Sequence, residues 1–139
     1  MIKTIDVKSG ETAGLYQYLS AAVTPRPIAF VRTIDAEGNK NLSPFSFFNV
    51  FSVNPPILVF SPVRRVRNNT SKHTLVNVHQ VKECVISLVT EDIAQQVSLA
   101  SCDFDSEINE FEKAGFTEVE SDLITPSRIK ESPINFECK

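Results

Sequence analysis

The chain has 139 residues, which suits one domain and is too short for two ordinary ones. Fourteen Lys and Arg residues against 17 Asp and Glu residues give a net charge of −3, which argues against general nucleic-acid binding. No apolar run approaches the roughly 20 residues that cross a membrane, and the N-terminus lacks the apolar core of a signal peptide. We therefore expect a cytoplasmic protein with neither a membrane nor a nucleic acid as its partner.

The cysteines and histidines are sparse and widely spaced. Cys84, Cys102 and Cys138 are odd in number and form no C-x-x-C pair, so a disulfide scaffold or a zinc knuckle is disfavoured and reduced thiols are expected. His73 and His79 stand six residues apart and cannot share one helix face at i, i+4 spacing. We expect no metal site.

The first part of the chain predicts a helix followed by a β-hairpin. Residues 11–22 place apolar side chains at helical spacing, and two prolines then stop the helix. Residues 28–33 form a compact apolar run rich in strand formers, residues 35–39 are a turn cluster, and residues 41–48 resume an extended pattern. Together the last three segments predict an antiparallel pair.

The middle of the chain alternates short strands with helices. Residues 57–60, after two prolines, predict a short buried strand, and residues 69–80 predict a helix. Residues 84–88 predict a second buried strand. A further helix is predicted to begin near Thr90 and to reach about Ala100.

The last third predicts a helix and weak strands. Residues 106–114 predict a helix with Ile108 and Phe111 inward, and Gly115 is its stop. Weak strand signals follow at residues 116–119 and 134–138. Five or six strands with scattered helices favour a mainly β fold, a small barrel that carries helices. The four glycines form neither G-x-G-x-x-G nor a Walker loop, so the usual dinucleotide and P-loop cradles are absent from the sequence.

Residues 61–74 concentrate positive charge in an otherwise acidic chain. Arg64, Arg65, Arg67 and Lys72 lie in this segment, together with hydroxyl and amide side chains, just before a predicted helix. Arg and Lys form charge-assisted hydrogen bonds, and the N-terminus of a helix favours an anion. The segment therefore suits a phosphomonoester, and the alternative is a solvated basic loop with an ordinary helix cap.

Residues 41–52 alternate small polar residues with aromatic ones. Such a strand can present backbone groups and hydroxyls to a flat polar ring while its aromatic side chains fill the core. The alternative is a core strand with serines on its exposed face. Serine, histidine, aspartate and cysteine all occur, but no local signature of a nucleophile supports a catalytic triad or dyad.

Five motifs in this order resemble the flavin reductase-like FMN-binding proteins, the split-barrel group that includes flavoredoxin. The motifs lie at residues 24–31 (TPRPIAFV), 41–48 (NLSPFSFF), 54–57 (NPPI), 72–78 (KHTLVNV) and 110–116 (EFEKAGF). The resemblance covers roughly residues 15–138. It implies a split β-barrel that binds FMN, as a homodimer with the flavin near the subunit interface. It also implies transfer of hydride or electrons from NAD(P)H through the flavin to an acceptor.

The resemblance also suggests where the cofactor would lie. Arg67, Lys72 and Thr74 are expected to hold the FMN phosphate, within the segment that begins at Ser61. The strand through Ser43, Pro44, Phe45 and Ser46 is expected to meet the edge of the isoalloxazine ring. Arg26 and Asn49 are expected near the ring or the ribityl chain. No catalytic residue is assigned, because the flavin itself supplies the redox chemistry.

The sequence departs from the family pattern in two places. The family commonly has Lys-Asp-Thr where this chain has Lys72-His73-Thr74. Family members also continue past the strand at residues 133–138 into further barrel strands, so residues 1–139 are expected to form one FMN-binding domain that is incomplete at its C-terminus, with an unprotected last strand. Two alternatives follow: a non-catalytic FMN-binding or electron-carrier module, or a dimerising remnant that binds no flavin.

Overall fold

The computed structural model describes residues 4–8, 12–64, 69–102 and 110–139. Within these residues the elements follow one another as helices and antiparallel strands. The helices are α1 (Thr12–Ala22), α2 (His73–Val81), α3 (Ala94–Ala100, preceded by a 3₁₀ turn at Glu91–Ile93) and α4 (Glu110–Lys113). The strands are β1 (Ala29–Ile34), β2 (Lys40–Phe45), β3 (Phe48–Val53), β4 (Pro56–Phe60), β5 (Cys84–Leu88), β6 (Glu118–Val119), β7 (Arg128–Ile129) and β8 (Asn135–Cys138).

A four-stranded antiparallel sheet in the order β2-β1-β5-β8 is the centre of the fold. The strands β3 and β4 form a separate hairpin, and β6 and β7 a short ladder. The predicted hairpin of β1 and β2 is confirmed, with Val31 opposite Ser43 and Ala29 opposite Phe45. No helix among the described residues is long and apolar enough to cross a membrane.

Apolar clusters cover both faces of the central sheet. One face packs Phe30 and Leu42 against α3, α4 and Phe116. The opposite face packs Val31, Phe45 and Ile86 against the β3–β4 hairpin and α2. Because β1 and β5 are buried on both faces, their apolar runs are nearly continuous, and this is why both strands could be predicted from the sequence.

Several predicted elements differ from the structure. The stretch predicted as one strand at residues 41–48 is two strands, because a bend at Ser46 and Phe47 carries the chain from the central sheet into the hairpin. The strand predicted at residues 57–60 exists as β4 but is not buried: Ile57 and Val59 are each more than 40% exposed. Its only pairing among the described residues is with β3, so a short apolar run was not sufficient evidence of burial.

The helices also differ in detail. The helix predicted at residues 69–80 begins only at His73, because Asn69 adopts a left-handed conformation with φ of 53° and Lys72 is extended. The helix predicted at residues 106–114 is described only as α4, where Phe111 points inward as predicted, while Ile108 lies outside the described residues. The first helix, α1, lies at residues 12–22, but Tyr18 and Leu19 on its apolar stripe are exposed.

Candidate functional site

The N-terminal turn of α2 lies over one face of β2. Thr74 is fully buried, and its hydroxyl accepts a hydrogen bond from Asn41 Nδ2 at 2.9 Å. One turn further along the helix, Asn77 Nδ2 donates to the hydroxyl of Thr33 at 3.2 Å. These two polar pairs fix the position of the helix on β1 and β2, since a buried polar group without a partner costs free energy.

The same face of β2 carries two more of the predicted site residues, Ser43 and Phe45. Side chains two residues apart on a strand share a face, so Asn41, Ser43 and Phe45 point toward α2. The ammonium group of Lys72 lies 4.9 Å from the centre of the Phe45 ring, a cation–π contact. Ser43, Phe45, Lys72 and Thr74 therefore lie together at the beginning of α2.

Lys72 is itself the N-cap residue of α2, and its side chain makes no hydrogen bond to this end of the helix. Its carbonyl oxygen accepts from the N–H of Leu75 at 3.1 Å. The structure therefore places one of the predicted basic residues at the cap position of the helix. The first turn of a helix beside an ammonium group is suited to an anion, because the helix dipole and the positive charge act in the same direction.

The bend after β2 brings the next candidates close to this group. The N–H of Ser61 donates to the carbonyl oxygen of Phe47 at 2.9 Å, which places the end of β4 against the bend that contains Ser46. The Phe45 and Phe60 rings pack at 5.4 Å between centroids. Ser46 and Ser61 therefore lie at the end of β2, next to Phe45.

The backbone of β2 offers fewer free donors than the sequence suggested. The N–H of Leu42 points away from β1 and donates to Glu110 Oε2 at 3.3 Å. Because N–H directions alternate along an antiparallel ladder, those of Ser43 and Phe45 point toward β1, and Pro44 has none. Ser46 follows Phe45, the last residue of β2 that pairs with β1. Among residues 43–46, Ser46 is therefore the one whose N–H lies outside the β1–β2 hydrogen-bond ladder.

Arg26 holds the C-terminal end of α1. Its Nη1 donates to the carbonyl oxygens of Ser20 and Val23, and its guanidinium lies 5.5 Å from the centre of the Phe47 ring. A cation at this end of a helix is stabilised by the helix dipole. The Nε atom of Arg26 is buried and has no hydrogen-bond partner among the described residues. Arg26 therefore reaches the bend at Phe47 but not the group around Lys72.

Two remaining candidates lie apart from this group, and a third is outside the described residues. Pro44 is on the opposite face of β2 from Ser43 and Phe45. Asn49 is exposed on β3, and its side-chain oxygen accepts from the N–H of Val50 at 2.8 Å. Arg67 lies outside the described residues, as does Arg65. Arg64, another basic residue of the segment, donates to the carbonyl oxygen of Asn69.

A cleft of about 330 Å³ opens on the other flank of α2. Three carboxylates line it, those of Asp35, Glu37 and Glu110, against the two basic side chains of Lys40 and His73. Burial is the main cause that raises the pKa of Glu110 above its usual value, while the nearby His73 and Arg32 act in the opposite direction. A phosphate is disfavoured beside these carboxylates, so the Lys72 side of the helix is the better anion site.

The comparisons with known proteins identify the family. The family model described as flavin reductase like domain matches residues 21–139. The chain belongs to the flavin reductase-like family. The resemblance inferred from the five sequence motifs is therefore confirmed.

Solved structures of this family share the fold. The structure superposes on nitrilotriacetate monooxygenase component B from Bacillus cereus with a TM-score of 0.91 at 28% identity, covering 99% of this chain and 67% of that one. It superposes on the 2-nitrobenzoate 2-nitroreductase NbaA from Pseudomonas fluorescens with a TM-score of 0.81 at 32% identity, over 99% and 64%. A split barrel domain protein from Shewanella frigidimarina matches with a TM-score of 0.77 at 25% identity, over 94% and 63%. The split-barrel prediction is therefore confirmed.

Sequence relatives are longer than this chain. An uncharacterised protein of Aquifex aeolicus is 42% identical over 133 residues, which is 96% of this chain and 67% of the relative. The uncharacterised protein BH2278 of Halalkalibacterium halodurans is 40% identical over 124 residues, 89% of this chain and 59% of the relative. The chain thus spans about three fifths to two thirds of these relatives' length.

Proposed function

We propose that the protein is an FMN-binding oxidoreductase, which passes hydride or electrons from NAD(P)H through the flavin to an acceptor. The observation that carries the proposal is the position of Lys72, at the N-cap of α2 and over the Phe45 ring. Membership of the flavin reductase-like family supports it. We extend the proposal to a cytoplasmic location, since all three cysteines are free thiols.

The donor groups around Lys72 fit the phosphate of FMN. The ammonium group would supply one charge-assisted hydrogen bond, and the first N–H groups of α2 would supply others. Thr74 is fully buried and its hydroxyl oxygen accepts from Asn41, so its proposed part in the phosphate site is to hold the first turn of α2 in place. Arg67 stays in the proposed phosphate site because it belongs to the same basic segment.

The bend at the end of β2 is the proposed position of the flavin ring edge. The N–H of Ser46 lies beyond the β1–β2 ladder, and the hydrogen bond from the Ser61 N–H to the Phe47 carbonyl oxygen brings Ser61 next to the same bend. The hydroxyls of Ser46 and Ser61 are the further donors that we propose there. When bound, the flavin would accept a hydride or two electrons and pass them on. The protein's own residues would bind the phosphate, orient the ring edge and leave one face of the ring open.

The proposed homodimer is supported by the exposed apolar surface of the β3–β4 hairpin. Phe51 is 70% exposed and Val53 is 85% exposed, and Val50, Ile57 and Val59 are also exposed. Tyr16 on α1 packs on Phe47 at 5.9 Å between ring centroids, so the exposed apolar stripe of α1 lies beside the start of the hairpin. Surfaces of this kind usually mark an interface. A second copy is the proposed partner because the hairpin directly adjoins the bend at which the flavin ring would lie.

Replacing Lys72 by alanine tests the phosphate site. We expect Lys72→Ala to weaken FMN binding about tenfold or more, because a hydrogen bond to a charged group contributes about 1.5–3 kcal/mol. Arg67→Ala is expected to act in the same direction. Riboflavin, which lacks the phosphate, should bind both variants as it binds the unchanged protein. Fluorescence titration of free flavin measures both ligands.

Lys82→Ala is the matched control, since Lys82 is an exposed lysine at the opposite end of the same helix. It should leave FMN affinity unchanged. Equal FMN affinity of the Lys72 variant and this control would remove Lys72 from the phosphate site.

Steady-state oxidation of NADH and NADPH separates the enzyme from its alternatives. Turnover with FMN and an acceptor is expected for the oxidoreductase. Flavin binding without oxidation of either nucleotide would identify a non-catalytic electron carrier. Dimerisation without flavin binding would identify a remnant that keeps the fold alone.

A further inference from the structure

Two cysteines lie directly opposite each other in the central sheet. Cys84 opens β5 and Cys138 ends β8, and the two are register partners in the antiparallel ladder. Directly opposed Cα atoms in such a ladder lie about 4.5–5.5 Å apart, which falls within the Cα separations of about 4.4–6.8 Å that a disulfide bridges. The backbone therefore already holds the two residues at a distance suitable for a disulfide.

The two thiols differ in their exposure to solvent. Cys84 is buried at 7% exposure in the cluster that includes Val31, Phe45 and Ile86. Cys138 is only half-buried, and β8 is the outer strand of the four-stranded sheet. Small reagents can therefore approach Cys138, whereas Cys84 is shielded by the core.

The side chains also interact with each other. A hydrogen bond from the Cys84 thiol lowers the pKa of Cys138, and the same bond, together with burial, raises the pKa of Cys84. The Cys138 thiol also donates a hydrogen bond to the Phe136 carbonyl oxygen at 3.6 Å, within the same strand β8. Cys138 is accordingly the more nucleophilic of the two, since the thiolate is the reactive form.

We propose that Cys84 and Cys138 form a reversible cross-strand disulfide when the protein meets a small-molecule disulfide as oxidant. The Cys138 thiolate attacks one sulfur of the oxidant and displaces the other as a thiolate, giving a mixed disulfide on Cys138. Cys84 loses its proton and attacks Cys138 Sγ, which releases the second thiolate. The two cysteines lose two electrons and two protons, and the oxidant is reduced to two thiols.

The bond would tie the outer strand β8 covalently to β5. Cys102 does not belong to this pair: it is exposed and lies after α3, away from the β5–β8 ladder. The proposal does not depend on flavin binding, because neither cysteine belongs to the group around Lys72. It adds a redox-sensitive modification site to the fold.

Treatment of the reduced 139-residue chain with glutathione disulfide tests the proposal. Thiols are then counted under denaturing conditions, and the bond is located by mass spectrometry of peptides. In the Cys102→Ser variant, which keeps the pair and removes the exposed thiol, we expect the thiol count to fall from two to none. The mass should fall by that of two hydrogen atoms, with no glutathione retained, and dithiothreitol should restore both thiols.

Cys138→Ser is the matched variant that removes the first nucleophile and leaves the buried Cys84 in the core. It should not lose the mass of two hydrogen atoms within one chain. The proposal is overturned if the Cys102→Ser protein keeps both thiols. It is also overturned if glutathione remains on Cys138 without ring closure, or if peptides of the oxidised unchanged protein join Cys102 instead of linking Cys84 to Cys138.

Discussion

Arg32 is the residue at which the sequence and the structure differ most. It lies within the apolar run of β1, yet its side chain is almost completely buried and its guanidinium lies 4.4 Å from the centre of the Phe111 ring. Glu118 is its ion-pair partner, with Nη2 and Oε1 3.1 Å apart. Burial is the main cause that lowers the pKa of Arg32, and Glu118 opposes it. A run of strand formers predicted the strand but could not predict what compensates a charge inside it.

Removing Glu118 is therefore expected to be costly. Glu118→Ala should lower the free energy of unfolding by about 3 kcal/mol, because it leaves a buried guanidinium without its partner. Lys40→Ala is the control: Lys40 pairs with the same carboxylate at 2.9 Å, but its side chain is 44% exposed, so the loss should stay below about 1 kcal/mol. Urea unfolding at neutral pH measures both. Equal losses would contradict the assigned role of Glu118.

The same carboxylate should make stability depend on pH. Burial raises the pKa of Glu118, but hydrogen bonds from Lys40 and Ser127 and the charge of Arg32 outweigh it, so its pKa lies below the usual 4.5. Its stabilising contribution is therefore present above pH 4.5 and is lost as the pH falls below that value. Unfolding followed from neutral to acid pH should show a smaller acid-induced loss for Glu118→Gln than for the unchanged protein. Parallel curves would exclude this contribution.

At the scale of elements, the outer edge of β2 is protected by two features. The N–H of Leu42 points outward and is bound by Glu110, and Pro44, two residues further on, has no N–H to offer. An unpaired edge strand is otherwise a template for association with another chain. The sequence shows Pro44 plainly, but the partner of Leu42 comes from α4, 68 residues along the chain, and no local pattern predicts it.

Two substitutions at Glu110 separate its hydrogen bond from its charge. Glu110→Gln keeps an acceptor for Leu42 and should change stability by less than about 0.5 kcal/mol. Glu110→Leu leaves the N–H of Leu42 without its acceptor and should lower the free energy of unfolding by about 1 kcal/mol or more. Thermal and urea unfolding compare the two variants. Equal stability of the two would show that Glu110 does not protect this edge.

The candidate site also depends on contacts between residues that are distant in the sequence. The basic segment and the serine-rich strand were visible as patterns, and the structure brings Ser43, Phe45, Lys72 and Thr74 together at the start of α2. The pairing of Asn41 with Thr74 was not visible, because it depends on where the helix crosses the strand. The spacing of Thr74 and Asn77, three residues apart on one helix face, is the signal that could have suggested it.

At the scale of the whole molecule, the exposed hairpin carries the proposed assembly. Phe51→Asp is expected to give a monomer, because it places a charge in the apolar surface of the β3–β4 hairpin. Leu123→Asp is the control, since Leu123 is 74% exposed but lies outside the hairpin; it should keep the dimer. Light scattering after gel filtration should give twice the 15.5 kDa chain mass for the unchanged protein. A monomeric unchanged protein would contradict the dimer.

Titration of the unchanged protein with FMN, followed by flavin fluorescence and the visible spectrum, tests the central claim most directly. The account predicts saturable binding with a perturbed spectrum, tighter for FMN than for riboflavin because the phosphate would bind at Lys72 and the start of α2. Absence of binding in the micromolar range, or equal affinity for both flavins, would contradict it.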